Sequence, residues 1–424
     1  MSSQKPILIV GSGISGLLLA QHLRKLSDRP FRIFERDTDL ATRGLGWGLT
    51  LHWSLPALRA LLPKDLVSRL PEAYVDRVAA VEEQRASTFP FFDLSTGELK
   101  ASTPNSSEST RIRVTREKFR RLLSTDLDIE WGKAASTFES HEDGSVTVHF
   151  DDGTLAEGSI VVACDGGSSR IRSSLFPDLP KFHIPVKLMG VKLECTPEEI
   201  EPIRKLDPYF LQGAASANDT FFYFSTLDAP GNNTPGGTTY TCQIVVSWPI
   251  RKGFFGSAEP IDFPEGGDEA GVVLFKKFSA TWAEPFRSLA LSIPETTTEV
   301  KCLDLYDWPP PKDLRTRGSL ALLGDALHPM AMYRGEGANH AIEDVQDFVE
   351  LVLPHLTYST TTKEALREGI NAYEDKVVAR ARPAVLASRQ ACIDAHQWER
   401  ITPQSPLLSK RLMNLSFDES NMSQ

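Results

Sequence analysis

Gly11-Ser12-Gly13-Ile14-Ser15-Gly16 places three glycines at the spacing Gly-x-Gly-x-x-Gly. Pro6 to Val10 before it is a short apolar run of the kind that forms a parallel strand buried on both faces. After it, Leu17 to Leu26 has helical propensity, with apolar residues at 14, 18, 19, 23 and 26. In that order Gly11 permits a tight turn, Gly13 lets backbone approach a pyrophosphate, and Gly16 lets helix and strand pack closely. The helix start at Ile14 and Ser15 then offers unpaired N–H groups to phosphate oxygens. A second strand, Phe31 to Phe34, ends in Glu35 and Arg36, and Glu35 stands where a carboxylate accepts from a ribose diol. An ordinary glycine loop is the alternative, but both flanking strands and the acid are in place. This unit does not choose between NAD and FAD.

Two later segments bear on that choice. Residues 160–172 read as a buried strand ending in Asp165-Gly166 and turning into a basic helix start. Residues 319–347 read as another buried strand ending in Gly324-Asp325, after which Gly335-Glu336-Gly337-Ala338-Asn339 opens a long helix. Taken alone, Asp165 is equally a turn-forming Asp-Gly, and Arg116, in Val114 to Leu123, a solvated helix residue.

Together these ordered motifs resemble the class A flavoprotein monooxygenases, the group of para-hydroxybenzoate and salicylate hydroxylases with many fungal members of secondary metabolism. The likeness spans roughly residues 5–395. It implies FAD as cofactor, with Asp165 and Gly166 near the pyrophosphate and the NADPH path, and Asp325 at the ribityl chain or pyrophosphate. It also implies Gly337, Ala338 and Asn339 at the flavin pyrimidine edge, and Arg116 in contact with FAD. Thr42 to Trp53 resembles the segment passed beneath the flavin, with Arg43 and Gly48 as cofactor contacts. NADPH or NADH and O2 are the implied co-substrates, a flavin hydroperoxide delivering the oxygen atom. No second glycine fingerprint is present, as the resemblance implies for a transiently docked NADPH.

Trp47, His52, Met332 and Tyr333 are candidates for substrate contact, with plain packing as the alternative for Trp47 and a hydrogen-bonded core position for His52. Relatives usually carry Pro and an apolar residue where Met332 and Tyr333 stand, which opens the exact reaction to question. Arg334 either pairs with Glu336 or meets a substrate anion. Tyr223 is the one catalytic candidate, able to polarise or deprotonate a phenol. No metal site is expected.

The fold expected is α/β: a Rossmann-like FAD-binding domain with a parallel sheet, a mostly antiparallel β-sheet substrate domain, and C-terminal helices. The FAD-binding part would draw on residues 1–75, 100–180 and 300–395. The substrate part would take 76–99 and 181–299, where runs at 186–193, 220–224 and 239–246 read as strands. Residues 396–424, rich in Ser, Asn and Gln, are expected to be a partly disordered tail. Over 424 residues the chain is 41% hydrophobic and 24% charged, as globular proteins are. Its net charge of −10 disfavours nucleic acid and anionic lipid, no apolar run reaches spanning length, and five scattered cysteines suggest reduced thiols. A cytoplasmic enzyme with a small-molecule substrate is the expectation. The leading function is a monooxygenase acting on a mostly apolar aromatic or polyketide/alkaloid-like substrate; an FAD oxidase or desaturase, or a flavin-fold binding protein without turnover, are the alternatives.

Overall fold

Ile7–Val10 and Ile160–Ala163 bury every residue, because each is an interior strand of a five-stranded parallel sheet with helices on its faces. The sheet order is Leu320–Leu322, Ile160–Ala163, Ile7–Val10, Phe31–Phe34, Ile129–Glu130. Its register, Ile7 opposite Phe31 and Ile160, aligns three carboxyl ends at one edge. Gly11, Glu35 and Asp165 follow those ends, and Asp325 follows the fourth, at the edge where such sheets bind ligands. The computed structural model describes residues 5–27, 29–44, 46–104, 110–232, 237–357 and 362–422, except the side chains of Arg43, Thr357 and Asn421.

The helix Ile14–Leu26 follows the glycine turn, and Gly337–Leu351 packs against it. The long helix Lys363–Asp394 lies behind Gly337–Leu351. A seven-stranded sheet, antiparallel except for one pair, forms the other half. It contains the three strands read from sequence, as Phe182–Cys195, Phe221–Asp228 and Tyr240–Pro249. Lys301–Asp307, from a segment assigned to the nucleotide-binding part, pairs with the edge of Phe182–Cys195, and Leu99–Ala101, which straddles the expected boundary after residue 99, pairs with Phe91–Asp93. Neither is as uniformly apolar as the interior parallel strands, which suits an edge.

The chain beyond 395 does not trail away as composition suggests. Ile401 and Leu407 are fully buried. Arg334 fastens this segment by donating to the Pro406 carbonyl, to Ser409 Oγ at 2.9 Å and to the Lys410 carbonyl at 3.2 Å. Among the described residues no helix is long and apolar enough to cross a membrane.

Candidate active site

One cleft of about 450 Å³ runs from the glycine turn to the inner face of the antiparallel sheet. Gly11, Gly13, Ile14, Ser15, Glu35, Arg36, Gly48, Arg116, Asp165, Gly166, Asp325, Gly337 and Ala338 line it, as do Trp47, Met332, Tyr333 and Tyr223. Residues far apart in sequence converge because the parallel strands deliver them to a common edge.

The turn itself explains two of its glycines differently. At Gly11 the backbone has φ +104, and a Cβ there would collide with the Cys164 carbonyl oxygen, so this glycine is required by the protein. A Cβ on Gly13 would come no nearer than 3.9 Å to that same oxygen. Its space opens to the cleft and leaves a cradle of the kind a pyrophosphate would fit. Gly16 packs against Gly11 and does not line the cleft.

Glu35 is buried and already orders the turn. Its Oε2 accepts from Ser12 N at 2.9 Å, Ser12 Oγ at 2.8 Å and Arg120 Nη2 at 3.3 Å, while Oε1 accepts from Asp37 N at 3.1 Å. Arg120 also donates to the Ser12 carbonyl at 2.8 Å and lines the cleft. Sequence reasoning favoured Arg116 and passed over Arg120, four residues later on the same face of Arg116–Leu123; that helical spacing was the signal.

The two Asp turns are tied together by Arg172, which donates to the carbonyls of Asp325 at 3.1 Å, Ala326 at 3.0 Å and Gly167 at 2.7 Å. Desolvation raises the carboxyl of Asp165, whose Oδ1 is buried without a partner. The side chain of Asp325 opens into the cleft, yet the protein packed around it raises its carboxyl too, with His328, Arg116 and Arg172 opposing. Gly324 sits beneath the cleft, its N–H donating to Asp344 Oδ2 at 2.7 Å. Asp344 Oδ2 also pairs with His328 Nε2 at 2.6 Å, and Oδ1 accepts from Arg380 at 2.8 Å. Burial pushes the Asp344 carboxyl up, but His328 and Arg380 hold it well below the usual carboxylate range.

Asn339 and His52, like Gly16 and Gly324 among the residues expected to bind cofactor or substrate, lie outside the cleft lining. Asn339 is buried outside the cleft lining: its N–H donates to the Glu336 carbonyl, and its side chain binds Thr50 O, His52 N and Ser54 Oγ, each at 2.9 Å. It fastens Gly48–Leu51 to the helix. His52, half-buried behind that strand, meets Trp53 edge-on and does not line the cleft. The side chain of Arg43 lies outside the described residues. Arg334 takes its pairing role, with Nε 2.7 Å from Glu336 Oε2.

At the sheet end, period-two alternation points Phe221, Tyr223 and Ser225 to one face. Arg113 donates there to Tyr223 Oη, to Ser225 Oγ at 2.8 Å and to Thr50 Oγ1 at 2.7 Å. A Cβ on Gly48 would strike this guanidinium, so Gly48 makes room for Arg113. Tyr333 turns its hydroxyl away, donating to Ser247 Oγ at 2.7 Å, and packs its ring 4.9 Å from Phe221, whereas Met332 is left exposed. Sequence gave no mark to Arg113, since an arginine inside a strand reads as solvated.

A glycine-cradled, parallel-sheet nucleotide site sharing one cleft with an antiparallel sheet defines a dinucleotide-dependent oxidoreductase. Residues 9–49 match the model of the NAD(P)-binding Rossmann-like domain. The chain is 42% identical to a probable FAD-dependent monooxygenase of Arthroderma benhamiae, over 97% of this chain and 96% of that one. Among solved structures it is similar to 2,6-dihydroxypyridine-3-hydroxylase of Arthrobacter nicotinovorans, with TM-score 0.70, 18% identity, and coverage of 99% and 100%. It is also similar to a salicylate hydroxylase substrate complex, with TM-score 0.66, 19% identity, and coverage of 96% and 92%. These two show a shared fold. The chain belongs to the FAD-dependent monooxygenases. The cradle at Gly13, the partnerless Asp165 Oδ1 and the carboxylate of Asp325 fit that cofactor.

Proposed function

We propose that this enzyme consumes NAD(P)H and places one atom of O2 on a small, mostly apolar aromatic or polyketide/alkaloid-like substrate held against the antiparallel sheet. The observation that carries this reading is Arg113, a cation at the substrate end of the cofactor's own cleft. Its hydrogen-bond partners are three neutral oxygens, and among the described residues no carboxylate lies within ion-pair distance.

FAD, when bound, supplies the electron transfer and oxygen activation that no side chain can. Gly11, Gly13, Ile14 and Ser15 would hold its pyrophosphate, Glu35 its ribose, and Arg116, Asp165, Gly166 and Asp325 the stretch between. The start of Gly337–Leu351 borders the cleft at Gly337 and Ala338, and the first-turn N–H groups of a helix favour negative charge nearby. At the far end, Arg113 lowers the cost of ionising a substrate hydroxyl. Tyr223 Oη accepts from Arg113, which leaves its own proton to donate to that substrate oxygen. Trp47, Met330 and Met332 supply apolar lining that displaces water.

The test is to supply the FAD-loaded enzyme with NADPH or NADH, labelled O2 and candidate aromatics. Coupled consumption and a product carrying one labelled oxygen atom is the expected result. Hydrogen peroxide in place of labelled product, across phenolic substrates that bind, would point to the oxidase reading.

A further inference from the structure

Phe89 has φ +53, a left-handed conformation that a bulky side chain adopts only when its surroundings impose it. Its half-buried ring lines the cleft and meets Phe210 edge-to-face, centroids 4.4 Å apart at 83°. The guanidiniums of Arg111 and Arg411 lie over the Phe89 ring at 5.3 Å and 5.1 Å, so it is clamped as well as bent. Phe210 lies 6.3 Å from the Tyr223 ring, with Arg113 4.7 Å above it.

One carboxylate holds both rings in place. Asp207, 2% exposed, uses Oδ1 to accept from Tyr209 N at 3.0 Å and Phe210 N at 3.2 Å. Its Oδ2 accepts from Ser87 Oγ at 2.8 Å and Thr88 N at 3.0 Å. Ser87 Oγ in turn accepts from Phe89 N at 3.1 Å. The strained residue and its aromatic partner, distant in sequence, are therefore fixed by the same side chain. A ring needed only to fill the core would not be held at this conformation with part of its surface open to the cleft.

We propose that Phe89 and Phe210 form a rigid aromatic corner that selects flat, fused-ring substrates, and that Asp207 is the positioning residue that sets this corner. The proposal deepens the function proposed above and rests on it for the identity of the substrate end. A fused second ring extends past Arg113 and Tyr223 and gains aromatic contact that a single ring does not reach. A preset wall makes that contact without the entropy loss of ordering a mobile side chain.

The experiment uses the FAD-loaded enzyme with naphthol and phenol as probes, reading each dissociation constant from the change in the flavin absorption spectrum. Naphthol should bind more tightly in the native enzyme. Phe89→Leu keeps an apolar side chain but removes the ring, and should cut the naphthol-to-phenol preference about fivefold. Asp207→Asn should cut it in the same direction with phenol affinity and FAD content retained. A uniform loss of folding would not alter the ratio. A Phe89→Leu enzyme with the native preference, or a native enzyme without one, overturns the proposal. Because binding alone is read, absence of oxygen transfer to naphthol would count against the function proposed above and not against this corner.

Discussion

Gly11 and Gly13 stand two residues apart in one turn, yet alanine at each should fail for opposite reasons. At Gly11 the added methyl meets the Cys164 carbonyl at positive φ, and Gly11→Ala should lose at least about 2 kcal/mol of stability. At Gly13 the methyl enters open cleft from an extended backbone, so Gly13→Ala should fold within about 1 kcal/mol of native. It should nevertheless bind FAD at least about tenfold more weakly, if the pyrophosphate takes that space as proposed. Urea unfolding of the FAD-free proteins and flavin titration separate the two effects; equal affinity in Gly13→Ala would remove the cradle assignment. Arg113→Gln carries a different signature. Without the cation, KM for an ionisable phenol should rise about tenfold while FAD content stays native, as steady-state kinetics and flavin absorbance would show.

The element that sets the Gly324-Asp325 turn is the helix Gly337–Leu351, acting through Asp344. Asp344→Asn leaves Arg380 buried with Asp347 as its remaining carboxylate partner, and weakens the hold on Gly324 N. Losing one charge of a buried network should cost about 3 kcal/mol, seen in urea unfolding, and FAD should be lost on purification. Native FAD retention would show that the turn is set without Asp344. Four of the five parallel strands, the glycine turn and the helix Gly337–Leu351 were legible in sequence because each announces itself locally, by a mostly apolar run or a glycine at a fixed offset. The two-residue strand Ile129–Glu130 is too short to do so. Asp344, Arg172 and Asp207 were not legible either. Each works across a long stretch of chain, as with Asp207 and Ser87, and nothing in a charged residue's neighbours reveals a buried partner that distant. Asn339 shows the converse: its register fitted the motif, but its buried position turned it into a fastener for Gly48–Leu51.

Across the whole molecule, acid stability should report the histidines that folding buries in neutral form. Burial, with Arg111, Arg411 and Arg334 adding to it, lowers His52 from 6.5 to about 3. Burial likewise lowers His396 from 6.5 to about 4. In the unfolded chain each takes up a proton as pH falls through 6.5, and in the folded protein only near its lowered value. Their contribution to stability is therefore fully present above 6.5 and lost progressively as pH falls towards the folded values. Asp165, Asp207, Asp307 and Asp325, whose carboxyls desolvation raises, act in the opposite sense: their contribution is present at low pH and lost as pH rises. The net acid curve therefore mixes the two signs, and the difference between native protein and His52→Gln isolates one group. Between about pH 7 and about pH 5 the native protein should lose up to about 2 kcal/mol more than the variant. Above about pH 7 their difference should be constant. Urea midpoints at the two pH values measure this directly; parallel losses would mean that the folded protein lets His52 take up its proton at the ordinary pH, so that neither its burial nor the three guanidiniums near it hold it neutral.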